Sequence, residues 1–397
     1  MTVTLAFALL GIIIFIGFSG SLIFSRTRIP DIPVLLFIGI LIGPILHLLD
    51  PGQLSGFTPY FATFAMIMIL FDGGMGLDFR NILHHFTGAA FLALLTFLAT
   101  LGLTAFIALL FGYPLYLGLL LGAILGGTSG AVVMPLVAQL RISEEAKTIL
   151  SLESSLTDIL CVVVALGLMH LIQSGQVNWM APLQELLGRF IIAILLGAAC
   201  GIGWSRLLDR LEQLQFSYML TIAVLFLLYS LTEFIRGNGA MAALVFGTVM
   251  GNYRRLPSLF GSTQAVGASN DTIRWFHGEL AFFVRTFFFV YIGLIFTVTH
   301  LGIGALLLCL LIFGAIVLAR LLAAQLMVRI YPDRRSEEKI LWLMTARGLA
   351  AAVLAPLPTA AGITGTEAFV GIALLIILLT NLLTTAGVFW TEREKSQ

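Results

Sequence analysis

Apolar runs of about 20 residues follow one another along almost the whole of this 397-residue chain, separated only by short polar or Gly/Pro breaks. A bilayer's hydrocarbon core takes about 20 helical residues to cross, so each run reads as a spanning helix. Charged residues make up only 10% of the chain, against about 25% in soluble domains. The solvent of this protein is lipid, and its fold class is all-α and polytopic.

Charge excludes one class of partner. The 21 Lys plus Arg nearly balance the 20 Asp plus Glu, and no clustered basic face suggests nucleic acid. Cys161, Cys200 and Cys309 lie far apart inside apolar runs, without the close spacing of metal or redox motifs. They read as small core hydrophobes. Met1 to Phe24 carries no basic residue in front and has Arg26 and Arg28 behind it, whereas a cleaved signal peptide carries positive charge at its start. The segment reads as a retained first span with its amino terminus outside. Only Thr391 to Gln397 follow the last run, so no soluble regulatory domain is expected.

The runs cover residues 5–24, 31–49, 59–77, 84–112, 114–139, 147–173, 182–206, 215–235, 238–252, 272–297, 301–329, 337–358 and 366–390, giving about 13 spans. Cytoplasmic loops collect Lys and Arg, which tests that count. With the amino terminus outside, every basic residue except Arg189, Arg236, Arg285, Arg320 and Arg347 falls at a cytoplasmic end. The carboxyl terminus is then inside, and the inner membrane of a prokaryote is the expected location.

Two spans are interrupted. The fifth contains Gly126-Gly-Thr-Ser-Gly130 and Pro135, and the twelfth contains Arg347-Gly348 followed by Pro356 and Pro358. Irregular backbone at membrane depth survives only where protein or a water-filled cavity surrounds it. Spans an odd number apart run in opposite directions, as expected for inverted six-helix repeats, here residues 1–174 and 215–397 joined by a linker helix in 175–214. Paired broken helices in matching halves point to a transporter's midplane site.

An Asp, Lys or Arg at the centre of a span costs at least about 2.5–3.5 kcal/mol on insertion scales, so each needs a partner or a task. The candidates are Asp72, Glu153, Asp158, Arg285 and Arg347. At about 100° per residue, Ser154 and Asp158 share a helix face, while Glu153 and Asp158 point in different directions. Asp158 therefore reads as a site for a cation or a proton but not both, with Ser154 and the carbonyls of the broken fifth span as oxygen ligands. Glu153 reads as structural, neutralised by Arg347. Asp72, about a turn from the cytoplasmic end of its span, divides between an interfacial acid and a part of the cation path. Arg320 is placed near enough to the inner end to snorkel.

Four stretches then carry a resemblance: Leu70-Phe-Asp-Gly-Gly-Met-Gly-Leu-Asp78, the break around Thr128, Glu153-Ser-Ser-Leu-Thr-Asp158, and Ala346-Arg-Gly-Leu349. In this order they resemble the sodium/proton antiporters of the monovalent cation:proton antiporter superfamily, NhaP-like branch. The resemblance implies that Asp158 binds cation and proton in turn, that Ser154 and Thr128 supply oxygens, that Asp72 lies beside the ion, and that Glu153 pairs with Arg347. It also implies a homodimer whose six-helix core carries the site across the membrane, and a part in pH homeostasis. This chain has Thr128-Ser129-Gly130 where that branch carries Thr-Asp-Pro, and Thr157-Asp158 where it carries Asn-Asp. Thr157 then stands beside the ion as an uncharged oxygen, and one titrating acid predicts electroneutral exchange of Na+, or of K+ or Li+, for a proton. No cofactor is expected.

Two rival classes are weaker. An intramembrane serine protease would use Ser129 of Gly127-Thr-Ser-Gly130 with His300 as base, but that pairing leaves Asp158, Glu153 and Arg347 without a task. A channel would use rings of carbonyls or charges, which nothing in the sequence suggests.

Overall fold

The structure is a computed structural model that describes residues 11–19, 32–48, 58–76, 79–138, 140, 142–174, 180–211, 217–253, 269–294 and 303–394. Helices lie on every predicted apolar run, and no strand occurs among the described residues. In chain order they are α1 (11–19), α2 (Ile32–Ile40), α3 (Thr58–Gly76), α4 (Phe79–Leu110), α5 (Leu115–Leu125), α6 (Gly130–Ala138), α7 (Glu144–Ser174) and α8 (Met180–Leu211). There follow α9 (Ser217–Phe234), α10 (Gly239–Asn252), α11 (Ser269–Leu294), α12 (Ile303–Ile330), α13 (Glu338–Leu343), α14 (Leu349–Leu354), α15 (Leu357–Ala360) and α16 (Phe369–Glu394). By length and composition, stretches of α4, α7, α8, α12 and α16 are each long and apolar enough to cross a membrane alone.

The punctuation read in the sequence sets where helices stop. Gly126 to Ser129 separate α5 from α6, and Met344 to Gly348 separate α13 from α14. Pro44 lies inside a π turn, Leu41–Ile45, that continues α2. A proline has no N–H to donate, and the wider turn absorbs its loss. The start of α7 is fixed twice over: Ser143 Oγ accepts from Ala146 N at 3.1 Å, and Glu337 Oε1 accepts the Ser143 N–H at 2.9 Å. Glu144 and Glu145 add negative charge to that first turn, where the helix dipole favours it.

The chain divides into two compact units. One comprises residues 1–62, 85–173 and 286–397. In it α16 packs against α12, α13, α14, α5 and α2, and α14 packs against α5. The two broken spans and α7 therefore belong to one packed body.

The other unit comprises residues 63–84 and 174–285. Here α10 packs against α8 and α9, and α3 approaches α10 through glycines. A Cβ at Gly247 would meet the Phe71 carbonyl oxygen, and one at Gly251 would meet the Met75 carbonyl oxygen. Helices in lipid associate through such close backbone approach. Gly247→Val forces backbone apart and is expected to lower stability by about 1–3 kcal/mol, the usual cost of overpacking. Gly203 has open space around its missing side chain, so Gly203→Ala should lose nothing. Thermal unfolding of both variants in detergent checks the contrast; equal melting points would refute the packing account.

Candidate functional site: two crossing helix breaks

A broken helix frees backbone N–H groups that must find partners when buried. In the first break these donors are distributed over defined acceptors. The Gly126 N–H donates to the Ala123 carbonyl at 3.4 Å, within the last turn of α5. Thr157 Oγ1 accepts the Thr128 N–H at 3.1 Å, and the Ser129 N–H donates to the Ala346 carbonyl at 2.8 Å. Thr157 of α7 and one carbonyl of the second break thus hold the first break open. A Cβ at Gly127 would lie 2.7 Å from Cys161 Sγ, so only glycine lets α7 come this close.

The second break is held by α16. The Arg347 N–H donates to Thr380 Oγ1 at 3.0 Å, and the Arg347 carbonyl accepts from Asn381 Nδ2 at 2.7 Å. Thr384 Oγ1 donates to the Leu343 carbonyl at 3.0 Å. Since Ala346 accepts from Ser129, the two breaks cross in contact. The sequence placed both breaks without showing that they meet.

A buried ion pair lies beside the crossing. Arg320 Nη1 is 2.9 Å from Glu153 Oε1, Nη2 is 3.2 Å from Oε2, and neither side chain has any exposure. This two-pronged geometry is the strong form of the pair. Arg320 Nε also donates to the Leu341 carbonyl at 2.8 Å, and Nη1 reaches Thr96 Oγ1 at 3.4 Å. Glu153 Oε1 further accepts from Thr128 Oγ1 at 3.0 Å, tying the pair to the first break.

The partner of Glu153 is thus Arg320, whereas the sequence reading paired it with Arg347 and let Arg320 snorkel. The reason is depth. Arg320 lies ten residues before the end of α12 at Ile330, or about 15 Å at 1.5 Å per residue, beyond the reach of its side chain. Arg347 is also fully buried. Its Nη2 lies 3.4 Å from Thr100 Oγ1, and the guanidinium lies in the field of Arg320, Glu153 and Asp158. Its Nε and Nη1 have no hydrogen-bond partner among the described residues.

The remaining predicted residues fall as follows. Asp158 is half-buried on α7. Ser154 Oγ donates to the Ser151 carbonyl at 2.9 Å and keeps its lone pairs to accept, whereas Thr157 Oγ1 donates to the Ser154 carbonyl at 3.1 Å and already accepts the Thr128 N–H. Asp72 is half-buried on α3, within the unit that comprises residues 63–84 and 174–285. Arg285 lies over the Phe282 ring at 5.7 Å, a cation–π arrangement. Asp78 and His300 lie outside the described residues.

Sequence reasoning missed a set of hydroxyls. Thr96 and Thr100 meet Arg320 and Arg347, and Thr380, Asn381 and Thr384 hold the second break; all are fully buried. Their signal was present: Thr96, Thr100 and Thr104 recur every four residues in an otherwise apolar run. Cys161, read as a core hydrophobe, is fully buried and packs against Gly127 of the break.

Two broken helices thus meet beside an acid on a third, and discontinuous helices of this kind typically build a membrane transporter's ion site. The chain belongs to the family of transmembrane sodium/hydrogen exchangers, whose sequence model matches residues 8–392. It is similar to the K(+)/H(+) antiporter NhaP of Alkalimonas amylolytica, 27% identical over 395 residues, which cover 95% of this chain and 64% of that protein. It is also similar to the Na(+)/H(+) antiporter 1 of Methanocaldococcus jannaschii, 28% identical over 306 residues, 74% of this chain and 69% of that one. The solved structure of the sodium proton antiporter MjNhaP1 from the same organism matches with a TM-score of 0.78 at 24% identity, covering 98% of this chain and 96% of that one. This is an integral membrane protein of an antiporter family, not of an enzyme family, and the protease and channel readings find no support.

Proposed function

We propose that this protein exchanges a monovalent cation for a proton across the membrane by alternating access, with Asp158 carrying each in turn. The observation that supports this most directly is the place of Asp158. It is a half-buried carboxylate on α7, beside the break between α5 and α6 and within the field of Arg347. A bound proton cancels the charge that would hold a cation, so one carboxylate enforces exchange. Ser154, Thr157 and Thr128 offer further oxygens, and Asp72 on α3 is assigned a part in the cation path. The Glu153–Arg320 pair and Arg347 serve as scaffold.

The names of the similar proteins support both sodium and potassium as cargo. Na+ is our first assignment, with K+ and Li+ as the alternatives. Inverted repeats over 1–174 and 215–397, a homodimer, an outside amino terminus, an inside carboxyl terminus and residence in a prokaryotic inner membrane belong to the same proposal.

Thr157 carries no charge, so one proton should move per cation. A membrane potential, worth about 2.3 kcal/mol per charge per 100 mV, then leaves the exchange equilibrium untouched. Proteoliposomes with a pH-sensitive dye, given Na+, K+ and Li+ in turn, should show cation-driven proton flux that an imposed diffusion potential does not drive uphill. A voltage-driven response would mean that a second acid also carries protons and would end the one-carboxylate mechanism.

A further inference from the structure

One peptide bond joins the two breaks to α16. Its carbonyl is that of Ala346, which accepts the Ser129 N–H at 2.8 Å, and its N–H is that of Arg347, which donates to Thr380 Oγ1 at 3.0 Å. The Thr380 hydroxyl spends its own proton on the Ile376 carbonyl at 2.7 Å, so it meets Arg347 with lone pairs only. Asn381, the next residue, donates from Nδ2 to the Arg347 carbonyl at 2.7 Å and holds the following peptide as well. Thr380, Asn381 and Arg347 are all fully buried, out of reach of bulk water.

A trans peptide is planar, with its C=O and N–H pointing in opposite directions. Both peptides at the crossing are trans. The Ser129 N–H faces Ala346, so the carbonyl of the same peptide, that of Thr128, faces away from the second break. The Ala346 carbonyl faces Ser129 in turn because the Arg347 N–H on its far side is fixed by Thr380. The Ile376 carbonyl, the Thr380 hydroxyl, the Ala346–Arg347 peptide and the Thr128–Ser129 peptide thus form one chain of hydrogen bonds. Bonds in such a chain polarise one another, which adds negative charge to the oxygen at its end. That oxygen is the Thr128 carbonyl.

We propose that Thr380 is a positioning residue for the cation site: through the Ala346–Arg347 peptide it sets the direction of the Thr128–Ser129 peptide and so aims the Thr128 carbonyl as a cation ligand. The inference deepens the reading of Asp158 as the exchanging acid with Thr128 beside it, and rests on that reading. Hard cations take oxygen ligands, and a carbonyl held in place before the ion arrives needs no ordering when it binds. Without the acceptor at Thr380, the Arg347 N–H loses its bond and the Ala346 carbonyl is free to turn from Ser129.

Thr380→Val keeps the shape of the side chain and removes the hydroxyl, whereas Thr380→Ser keeps the hydroxyl. Thr384→Val is the comparison, since Thr384 holds the same break through the Leu343 carbonyl at 3.0 Å and stands outside the chain to Ser129. Loss of a neutral hydrogen bond changes an equilibrium by about two- to tenfold. In proteoliposomes the cation KM of Thr380→Val should rise by that factor and return to the wild-type value in Thr380→Ser. Thr384→Val should lower the amount of folded protein and leave KM unmoved. An unchanged KM in Thr380→Val, or an equal rise in Thr384→Val, overturns the inference while leaving Asp158 as the exchanging acid. Exchange retained by Asp158→Asn overturns the reading beneath it.

Should Thr380→Val fail to fold, the wild type carries the test. Thr128-Ser129 is the only Thr-Ser dipeptide in the chain, so threonine labelled with 13C at the carbonyl and serine labelled with 15N give a single coupled pair. Its carbonyl resonance should shift on saturation with the cation that drives exchange. A resonance that ignores that cation overturns the inference.

Discussion

Arg320→Ala is expected to destabilise the folded protein by about 3–5 kcal/mol, the usual result of removing one partner from a buried ion pair. Glu153 would be left as an unpaired charge with no exposure to solvent. Arg320 also ties α12 to the Leu341 carbonyl of α13 and to Thr96 of α4, so its loss loosens three helices at once. Glu153→Ala should cost a similar amount, because it strands the guanidinium. The double variant should then be much milder than the sum of the two single changes, since directly interacting residues depart from additivity by about 0.5–3 kcal/mol. The same cycle run on Glu153 and Arg347 should show the smaller coupling. Unfolding followed in detergent reads both cycles. Strict additivity for Glu153 and Arg320, with strong coupling for Glu153 and Arg347, would restore the pairing read from sequence.

That contrast marks where sequence reading ends. Glycine and proline act on the backbone of their own segment, so Gly126-Gly127 and Arg347-Gly348 announced both breaks in the sequence. Lipid-phase charges are costly in any fold, which made Glu153, Asp158 and Arg347 visible for the same reason. The partner of a charge depends instead on depth and on the rotation of packed helices. Arg320 and Arg347 lie on different segments, and no local pattern ranks them as neighbours of Glu153. The contact between Ser129 and Ala346 joins residues more than 200 positions apart. Nothing in either stretch alone encodes it. The threonines of α4 and α16 were overlooked because threonine is tolerated in apolar helices, where its hydroxyl bonds the preceding turn, as Thr380 does with the Ile376 carbonyl at 2.7 Å.

Asp158→Asn is expected to abolish exchange while leaving the fold in place. The amide has nearly the shape of the acid and keeps one oxygen, but it neither releases a proton nor attracts a cation as a charge does. Loss of transport with normal folding separates this residue from Glu153 and Arg320, whose removal damages stability first. A variant that folds normally and exchanges at near-normal rates would remove Asp158 from the mechanism.

Binding of the transported cation to the purified protein, measured as a function of pH for the wild type and for Asp158→Asn, tests the shared-site claim most directly. If one carboxylate takes either a proton or a cation, the apparent dissociation constant rises as pH falls and protonation wins the site. The rise should approach about tenfold per pH unit, the linkage limit for one competing proton. At alkaline pH, where the acid is already ionised, the constant should level off. The asparagine variant should bind no cation at any pH. Affinity that ignores pH across that range, or cation binding that survives in Asp158→Asn, would contradict the account.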